Sequence, residues 1–231
     1  MNALIIMTRI PVAGKTKTRL MKILTGEQCA SIHKSFLMDI LNTTNFMKKN
    51  MDIYLTYSDE GPFSIIESLI PEYIKAFPQS GKILGEKMRN AIENLLDNGY
   101  DKVVLIGSDI PEVQPNNIEK AFEILDEKDV CFGPTMDGGY YLVGMKKMHP
   151  IVFESDIKWG SKYVFDNTMG ILNKANLQVG FVDKYEDIDT EEDLKKLINR
   201  INNKNYTVEP ERTKDFLNNW WRKVYVERYT K

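Results

Sequence analysis

Cysteine and histidine are nearly missing from this sequence: Cys29, Cys131, His33 and His149 are the only four in 231 residues. Two cysteines, one in a helical and one in a strand-like segment, give neither a disulfide framework nor a thiolate metal site. Neither histidine has an acidic or cysteine partner at ligand spacing, so neither carries a catalytic hypothesis. Long apolar runs are missing too, and none approaches the roughly 20 residues that span a bilayer. Strand-like residues begin directly behind Met1, which leaves no room for a signal peptide and makes the cytoplasm the expected compartment. An excess of one charge is also lacking. Thirty-one Lys and Arg against 33 Asp and Glu give a net −2, which argues against nucleic acid as a partner. Repeats and low-complexity segments are absent as well. What remains is an ordinary globular composition, 42% hydrophobic and 28% charged, in a chain that fits one α/β domain with a sizeable core.

Against this neutral background one segment is concentrated in charge. Arg9-Ile-Pro-Val-Ala-Gly-Lys-Thr-Lys-Thr-Arg19 follows the short apolar run of residues 3–7. That run reads as a buried strand, so the segment lies at a strand's carboxyl end, where open α/β sheets bind ligands. Pro11 and Gly14 bend the loop and let its backbone approach a ligand. Lys15, Lys17 and Arg19 repel one another unless an anion sits among them, and a nucleotide's phosphate chain is the simplest such anion. A P-loop is excluded, because Arg9 occupies the position of its first glycine. The remaining alternative is a solvated basic surface loop.

Further strands are expected at residues 51–57, 73–77, 102–106, 130–132, 140–145 and 178–182. Helices are expected from the Thr25/Gln28 capping box to about residue 49, and at 63–69, 85–98, 114–125, 161–175 and 190–202, the last with a Thr190/Asp193 box. This alternation predicts a three-layer α/β domain with a mostly parallel sheet. The strands around Cys131 and Tyr141 are too close for a crossover helix, so one of them must run antiparallel. The domain reads as residues 1–203. Residues 204–231 turn polar and basic, with Trp220, Trp221, Tyr225 and Tyr229, and read as an appended helix that packs on the domain or on a second subunit, a homodimer.

Three more segments carry chemistry. Gly107-Ser108-Asp109 follows the clearest buried strand, which puts Asp109 at a strand tip where a carboxylate can hold a divalent cation against phosphates. Its bland reading is a helix cap. Gly133-Pro-Thr-Met-Asp-Gly-Gly-Tyr-Tyr141 links two strands. Asp137, Gly138, Gly139 and Tyr140 there either line an acceptor site or simply make a tight Asp-Gly turn. In Asp187-Ile-Asp-Thr-Glu-Glu-Asp-Leu194, capping accounts for Thr190 and Asp193, and Asp189 is left as a candidate second metal ligand. Trp159 and Gly160 are weaker candidates for the acceptor pocket, as are Gln79 and Gly85 for the base pocket.

Pro-x-x-Gly-Lys-x-Lys-Thr-Arg-Leu at residues 11–20, Gly-Ser-Asp-x-Pro at 107–111, Gly-Pro-x-x-Asp-Gly-Gly-Tyr-Tyr-Leu at 133–142, Trp159-Gly160 and Asp-x-Asp-Thr-x-x-Asp-Leu at 187–194 occur in this order. Together they resemble a bacterial family of the GT-A superfamily labelled arsenosugar-biosynthesis-type glycosyltransferases. Relatives of that family include the guanylyltransferases acting on 2-phospho-lactate and on the molybdenum cofactor. The resemblance covers about residues 1–200. It implies a Rossmann-like GT-A fold with a mixed, mostly parallel sheet. It also implies a nucleotide at the first strand-loop and Mg²⁺ (or Mn²⁺) on Asp109, and the candidate nucleotide contacts are Arg9, Pro11, Gly14, Lys15, Lys17, Thr18, Arg19, Gln79, Gly85 and Ser108. Ser108 stands where the family has threonine.

Two enzymes fit. In a nucleotidyltransferase, Lys15, Lys17 and Arg19 stabilise departing pyrophosphate, and a phosphorylated acceptor attacks without a base. In a glycosyltransferase, a nucleotide-diphospho-sugar is the donor and Asp137 the candidate base. Three cations suit a triphosphate better, and only one acid stands at the strand tip, so nucleotidyl transfer is the favoured reading. A nucleotide-binding regulator without catalysis is a third.

Overall fold

A computed structural model describes residues 1–153 and 159–221, without the side chain of Trp221. Tyr225, Tyr229 and the Trp221 side chain, singled out in the tail, lie outside the described residues. Among those residues seven strands form one sheet, ordered β3-β2-β1-β4-β6-β5-β7. They are β1 (Asn2–Thr8), β2 (Asp52–Tyr57), β3 (Ile74–Pro78), β4 (Lys102–Gly107), β5 (Val130–Pro134), β6 (Tyr140–Met145) and β7 (Val179–Phe181). Only β6 runs against its neighbours. This is the antiparallel strand expected from the short link between β5 and β6, and the rest of the sheet is parallel. The fold is α/β and GT-A-like, as the motifs imply.

The alternation of β1 builds the three layers. Leu4 and Ile6 pack on one face with Leu37, Ile40 and Leu41 of α1 (Gly26–Thr44) and Ile118, Phe122 and Leu125 of α4 (Pro115–Glu127). Ala3, Ile5 and Met7 pack on the other face with Met88, Ile92 and Leu95 of α3 (Leu84–Asp97) and Leu172 of α5 (Val164–Lys174). Both faces are covered, which is why β1 and β4 read as unbroken apolar runs. Each fully buried leucine or isoleucine contributes about 1.5–3 kcal/mol over an exposed one.

A third cluster lies outside the first layer. Leu20, Ile32 and Phe36 meet Leu194, Leu197 and Ile201 of α6 (Glu191–Asn203) and Leu217 and Trp220 of α7 (Glu211–Trp221). The tail helix therefore packs on the domain itself. Its first amides, those of Arg212 and Thr213, donate to the two carboxylate oxygens of Asp39 at 3.0 and 2.8 Å. Burial nonetheless pushes the Asp39 carboxyl up to about 6.

The segment expected at 63–69 forms the short helix α2 (Ser64–Glu67). Other boundaries moved further. The first helix ends at Thr44, because the hydroxyls of Thr43 and Thr44 bond back to the carbonyls of Asp39 and Leu41 and compete with the helix. Residues 161–163 precede α5 as a turn. Two 3₁₀ turns, Thr18–Lys22 and Pro150–Phe153, have no sequence signature. The first reshapes the basic loop.

Candidate active site

Strand order reverses between β1 and β4, and the loops after both strands open into one cleft of about 500 Å³. The segment between β7 and α6, the β5–β6 loop and the start of α3 complete its walls.

Asp109 stands at the tip of β4, half exposed to this cleft. Lys17 Nζ lies 2.7 Å from its Oδ1, and His33 Nδ1 lies 3.7 Å away. Burial alone would raise the Asp109 pKa, but the Lys17 ammonium outweighs it and holds the carboxyl below its ordinary value. Burial keeps the His33 pKa low and its ring neutral, while Nε2 faces the Thr8 hydroxyl and the Arg9 carbonyl at 3.2 Å.

The three loop cations do not converge on one point, which corrects the expected cradle. Lys15 donates to the Glu60 carbonyl at 3.1 Å. Lys17 turns inward, its side chain 3% exposed, and reaches Asp109, Asp189 (3.2 Å) and the Ile188 carbonyl (2.9 Å). Burial works against its charge, but Asp109 and Asp189 raise its pKa and keep it protonated. The inward turn depends on a left-handed backbone at Lys17, φ 47°, a conformation that costs a non-glycine residue about 1–2 kcal/mol. Arg19 remains on the cleft wall, paired with Asp189 at 3.1 Å, and Arg9 joins it, paired with Glu60 at 2.6 Å. Mutual repulsion among the cations is relieved by the protein's own acids.

Asp189, expected as a second metal ligand, already has Lys17 on Oδ1 and Arg19 on Oδ2. Its neighbour Asp187 is the unmatched acid. Burial and the charges of Asp109 and Asp137 push the Asp187 carboxyl up to about 7. Asp109 and Asp187 therefore face one cleft from two walls, Asp109 paired with Lys17 and Asp187 without an ion pair among the described residues. Among the described residues no group of three or more ligating side chains forms a cage. Two carboxylates with room for phosphate and water suit Mg²⁺, which keeps much of its hydration and leans on substrate phosphates.

The other expected residues divide between lining and support. Gln79 lines the cleft and donates to the Thr8 carbonyl at 2.9 Å. Ser108 is buried and ties β4 to β1 through the Thr8 hydroxyl at 2.8 Å. Pro11 is buried, Thr18 is exposed at the start of the 3₁₀ turn, and Gly14 makes the loop's bend at φ 77°. Asp137 lines the cleft, but its Oδ1 accepts from the Thr135 hydroxyl (2.6 Å) and the Gly139 amide (3.1 Å), so it also braces the tight turn. Gly139, Tyr140, Trp159 and Gly160 line the same end of the cleft. Gly85 lies beneath Trp159, where an added Cβ would come within 2.6 Å of the indole.

A bracket outside the cleft joins the two acid-bearing segments. Arg200 of α6 donates from Nε and Nη2 to the buried Glu112 at 2.7–3.0 Å, and from Nη1 to Glu186 at 2.7 Å. Tyr206 adds a hydrogen bond to Glu112 at 2.6 Å. Glu112 lies three residues beyond Asp109, and Glu186 directly precedes Asp187.

Residues 42–161 match a family described as uncharacterized protein conserved in bacteria (DUF2064). The chain belongs to this family. The DUF2064 match contains Gln79, Asp109, Asp137 and Trp159 but neither the basic loop nor Asp187, so wider relatives bear on those. The 2-phospho-L-lactate guanylyltransferase of Methanocaldococcus sp. (strain FS406-22) is 29% identical over 194 residues, covering 80% of this chain and 78% of that one. A crystal structure from Desulfovibrio desulfuricans G20, assigned as a nucleotide-diphospho-sugar transferase, superposes with a TM-score of 0.85 at 30% identity, over 99% and 97% of the two chains. The 4-diphosphocytidyl-2C-methyl-D-erythritol synthase of Anaerococcus prevotii DSM 20548 has a TM-score of 0.54 at 14% identity, covering 83% of this chain and 94% of that one, and shares the fold.

One position in this DUF2064 protein tolerates no side chain. Gly138 has φ 90°, and a Cβ there would lie 1.9 Å from the Lys162 carbonyl oxygen. Gly138→Ala must move backbone, so a loss of about 2–4 kcal/mol is expected. Urea unfolding measures it, and a midpoint equal to wild type contradicts the packing described.

Proposed function

We propose that the protein is a transferase that moves a nucleotidyl group from a nucleoside triphosphate to a small phosphorylated acceptor and releases pyrophosphate. The observation that carries this reading is the presence in one cleft of Asp109, held ionised by Lys17, and of Asp187, which has no ion pair among the described residues. Two anionic groups facing each other are stabilised by a cation between them. Asp109 and Asp187 would hold Mg²⁺ or Mn²⁺, which would supply charge neutralisation for the triphosphate. Arg19 and Arg9 meet the phosphates from the β1 side, and Lys15 joins them if it leaves the Glu60 carbonyl. Lys17 acts as a positioning residue that sets the charge and orientation of Asp109.

A phosphate oxygen of the acceptor attacks the α-phosphorus. The new P–O bond forms as the bond to the β-phosphate oxygen breaks, and pyrophosphate leaves with that electron pair. No general base is required, in keeping with the structural use of Asp137. The guanylyltransferase relative supports nucleotidyl transfer, and the assignment of the Desulfovibrio structure is what favours the second reading, a nucleotide-sugar donor. The two are separated by assaying the four nucleoside triphosphates and a set of nucleotide-sugars with Mg²⁺. Thermal stabilisation by a triphosphate, with pyrophosphate released once a phosphorylated acceptor is added, is the expected result. Stabilisation and turnover with nucleotide-sugars alone overturn it.

A further inference from the structure

The turn after β2, residues 58–62, is tied to the basic loop along its length. The Ser58 amide donates to the Thr8 carbonyl at 3.1 Å, and the Ser58 hydroxyl oxygen accepts the Ile10 amide at 3.0 Å. Gly61 packs so closely on the loop that an added Cβ would come within 2.5 Å of a Val12 methyl and 3.0 Å of an Ile10 methyl. Glu60 stands between these anchors and serves two loop cations. Its carbonyl accepts from Lys15 Nζ at 3.1 Å, and its Oε1 accepts from Arg9 Nε at 2.9 Å and Nη2 at 2.6 Å. Its Oε2 accepts the Ser58 hydroxyl. Both carboxylate oxygens are therefore occupied within the protein, and the side chain is 25% exposed.

Arg9 differs: its side chain is 59% exposed, and both it and Glu60 line the cleft. An arginine this open to water samples many rotamers, and ordering it on a ligand costs affinity. Here one partner removes that freedom. A guanidinium carries five N–H donors in a planar fork. Glu60 takes the edge formed by Nε and Nη2, and Nη1 has no hydrogen-bond partner among the described residues. The edge formed by Nη1 and Nη2 is left for a second anion, and a phosphate fits such an edge with two parallel hydrogen bonds.

We propose that Glu60 is a positioning residue for phosphate recognition: it grips Arg9 by one edge so that the other edge meets the polyphosphate of the donor. The inference deepens the nucleotidyl-transfer reading and rests on it for the identity of that ligand. Two effects oppose each other. The Glu60 charge repels a phosphate about 8 Å away across the guanidinium, which after screening by salt lowers affinity by about two- to fourfold. Returning Arg9 to its full rotamer freedom lowers it by up to about thirtyfold. Orientation wins, and the site gains from an acid that by charge alone would harm it.

Inorganic tripolyphosphate with Mg²⁺, titrated into the full chain by calorimetry, tests it, since this probe carries the phosphates without a base. Glu60→Ala is expected to weaken its binding about fivefold, and Glu60→Gln, which keeps an acceptor for Arg9, by less. Arg9→Lys keeps the charge but loses the fork, and should weaken binding about as much as Glu60→Ala. In the Arg9→Lys background, Glu60→Ala should weaken binding no further. With a triphosphate and a phosphorylated acceptor, Glu60→Ala should raise the triphosphate KM and leave the acceptor KM unchanged, a split that general loosening of the cleft would not give. Tripolyphosphate binding that is unchanged or tighter in Glu60→Ala overturns the proposal. So does a full further loss in the Arg9→Lys background, for Glu60 would then act apart from Arg9. If tripolyphosphate binding responds to these variants as expected but no triphosphate is turned over, Glu60 keeps its role and nucleotidyl transfer falls.

Discussion

Replacing Asp109 with asparagine is expected to lower metal-dependent turnover by about a thousandfold or more while the chain still folds. The substitution keeps the shape of the side chain and its hydrogen bond to Lys17, now at 2.7 Å. What it removes is the negative charge at the tip of β4, and such a charge acts on the transferring phosphate in a low-dielectric cleft. A stability cost follows as well. Lys17 is buried, and breaking one partner of a buried charge typically costs about 3–5 kcal/mol. Here Asp189 and the Ile188 carbonyl remain at 3.2 and 2.9 Å, so a smaller loss of about 1–3 kcal/mol is expected. Pyrophosphate release across a Mg²⁺ titration reads the first effect, and thermal unfolding followed by circular dichroism reads the second. Turnover within tenfold of wild type removes Asp109 from the chemistry.

The second large effect belongs to Asp187 and has the opposite sign for stability. Its folded-state pKa is raised from 3.8 to about 7, so the folded protein binds this proton more tightly than the unfolded chain does. Protonation of Asp187 therefore stabilises the ligand-free fold fully below about pH 4, and that stabilisation is lost as pH rises through about 7. At about 1.4 kcal/mol per pH unit, the ligand-free protein should lose about 2–4 kcal/mol between pH 4 and pH 8. Asp187→Asn should make this profile shallower, leaving the share of Asp39, and raise the melting temperature at pH 8 by several degrees, while lowering turnover about a hundredfold or more. Mg²⁺ added at pH 8 should restore stability to wild type and do little for the variant. A variant less stable than wild type at pH 8 would show that Asp187 is matched by a cation after all.

The fold and the cleft differ in how far they could be read in advance. Layer order was legible because the central strands keep their apolar runs and two helices their capping boxes. Thr25 with Gln28 and Thr190 with Asp193 form the reciprocal bonds their spacing predicts. The antiparallel strand followed from a link too short for a helix. Side-chain direction in the basic loop was not legible. It depends on one left-handed residue, Lys17, and on partners 171 and 172 positions away. His33 stands on the buried face of a helix with no local mark of its tie to Asp109. Asp187 and Asp189 look equivalent in sequence, and only the arrival of Lys17 and Arg19 on one of them separates a neutralised acid from an exposed demand for charge. Glu112 and Arg200, 88 positions apart, carry no pattern that would pair them.

The Arg200 bracket makes the spacing of the two cleft acids a property of the chain's far end. One guanidinium fixes the neighbours of both Asp109 and Asp187, and Tyr206 fastens the same knot from beyond α6. Trimming the protein back to its sheet, a routine step in making a compact fragment, would preserve every residue that lines the cleft yet release the strut that holds its walls apart. The tail thus helps to set the spacing of the two acids, although none of its described residues lines the cleft.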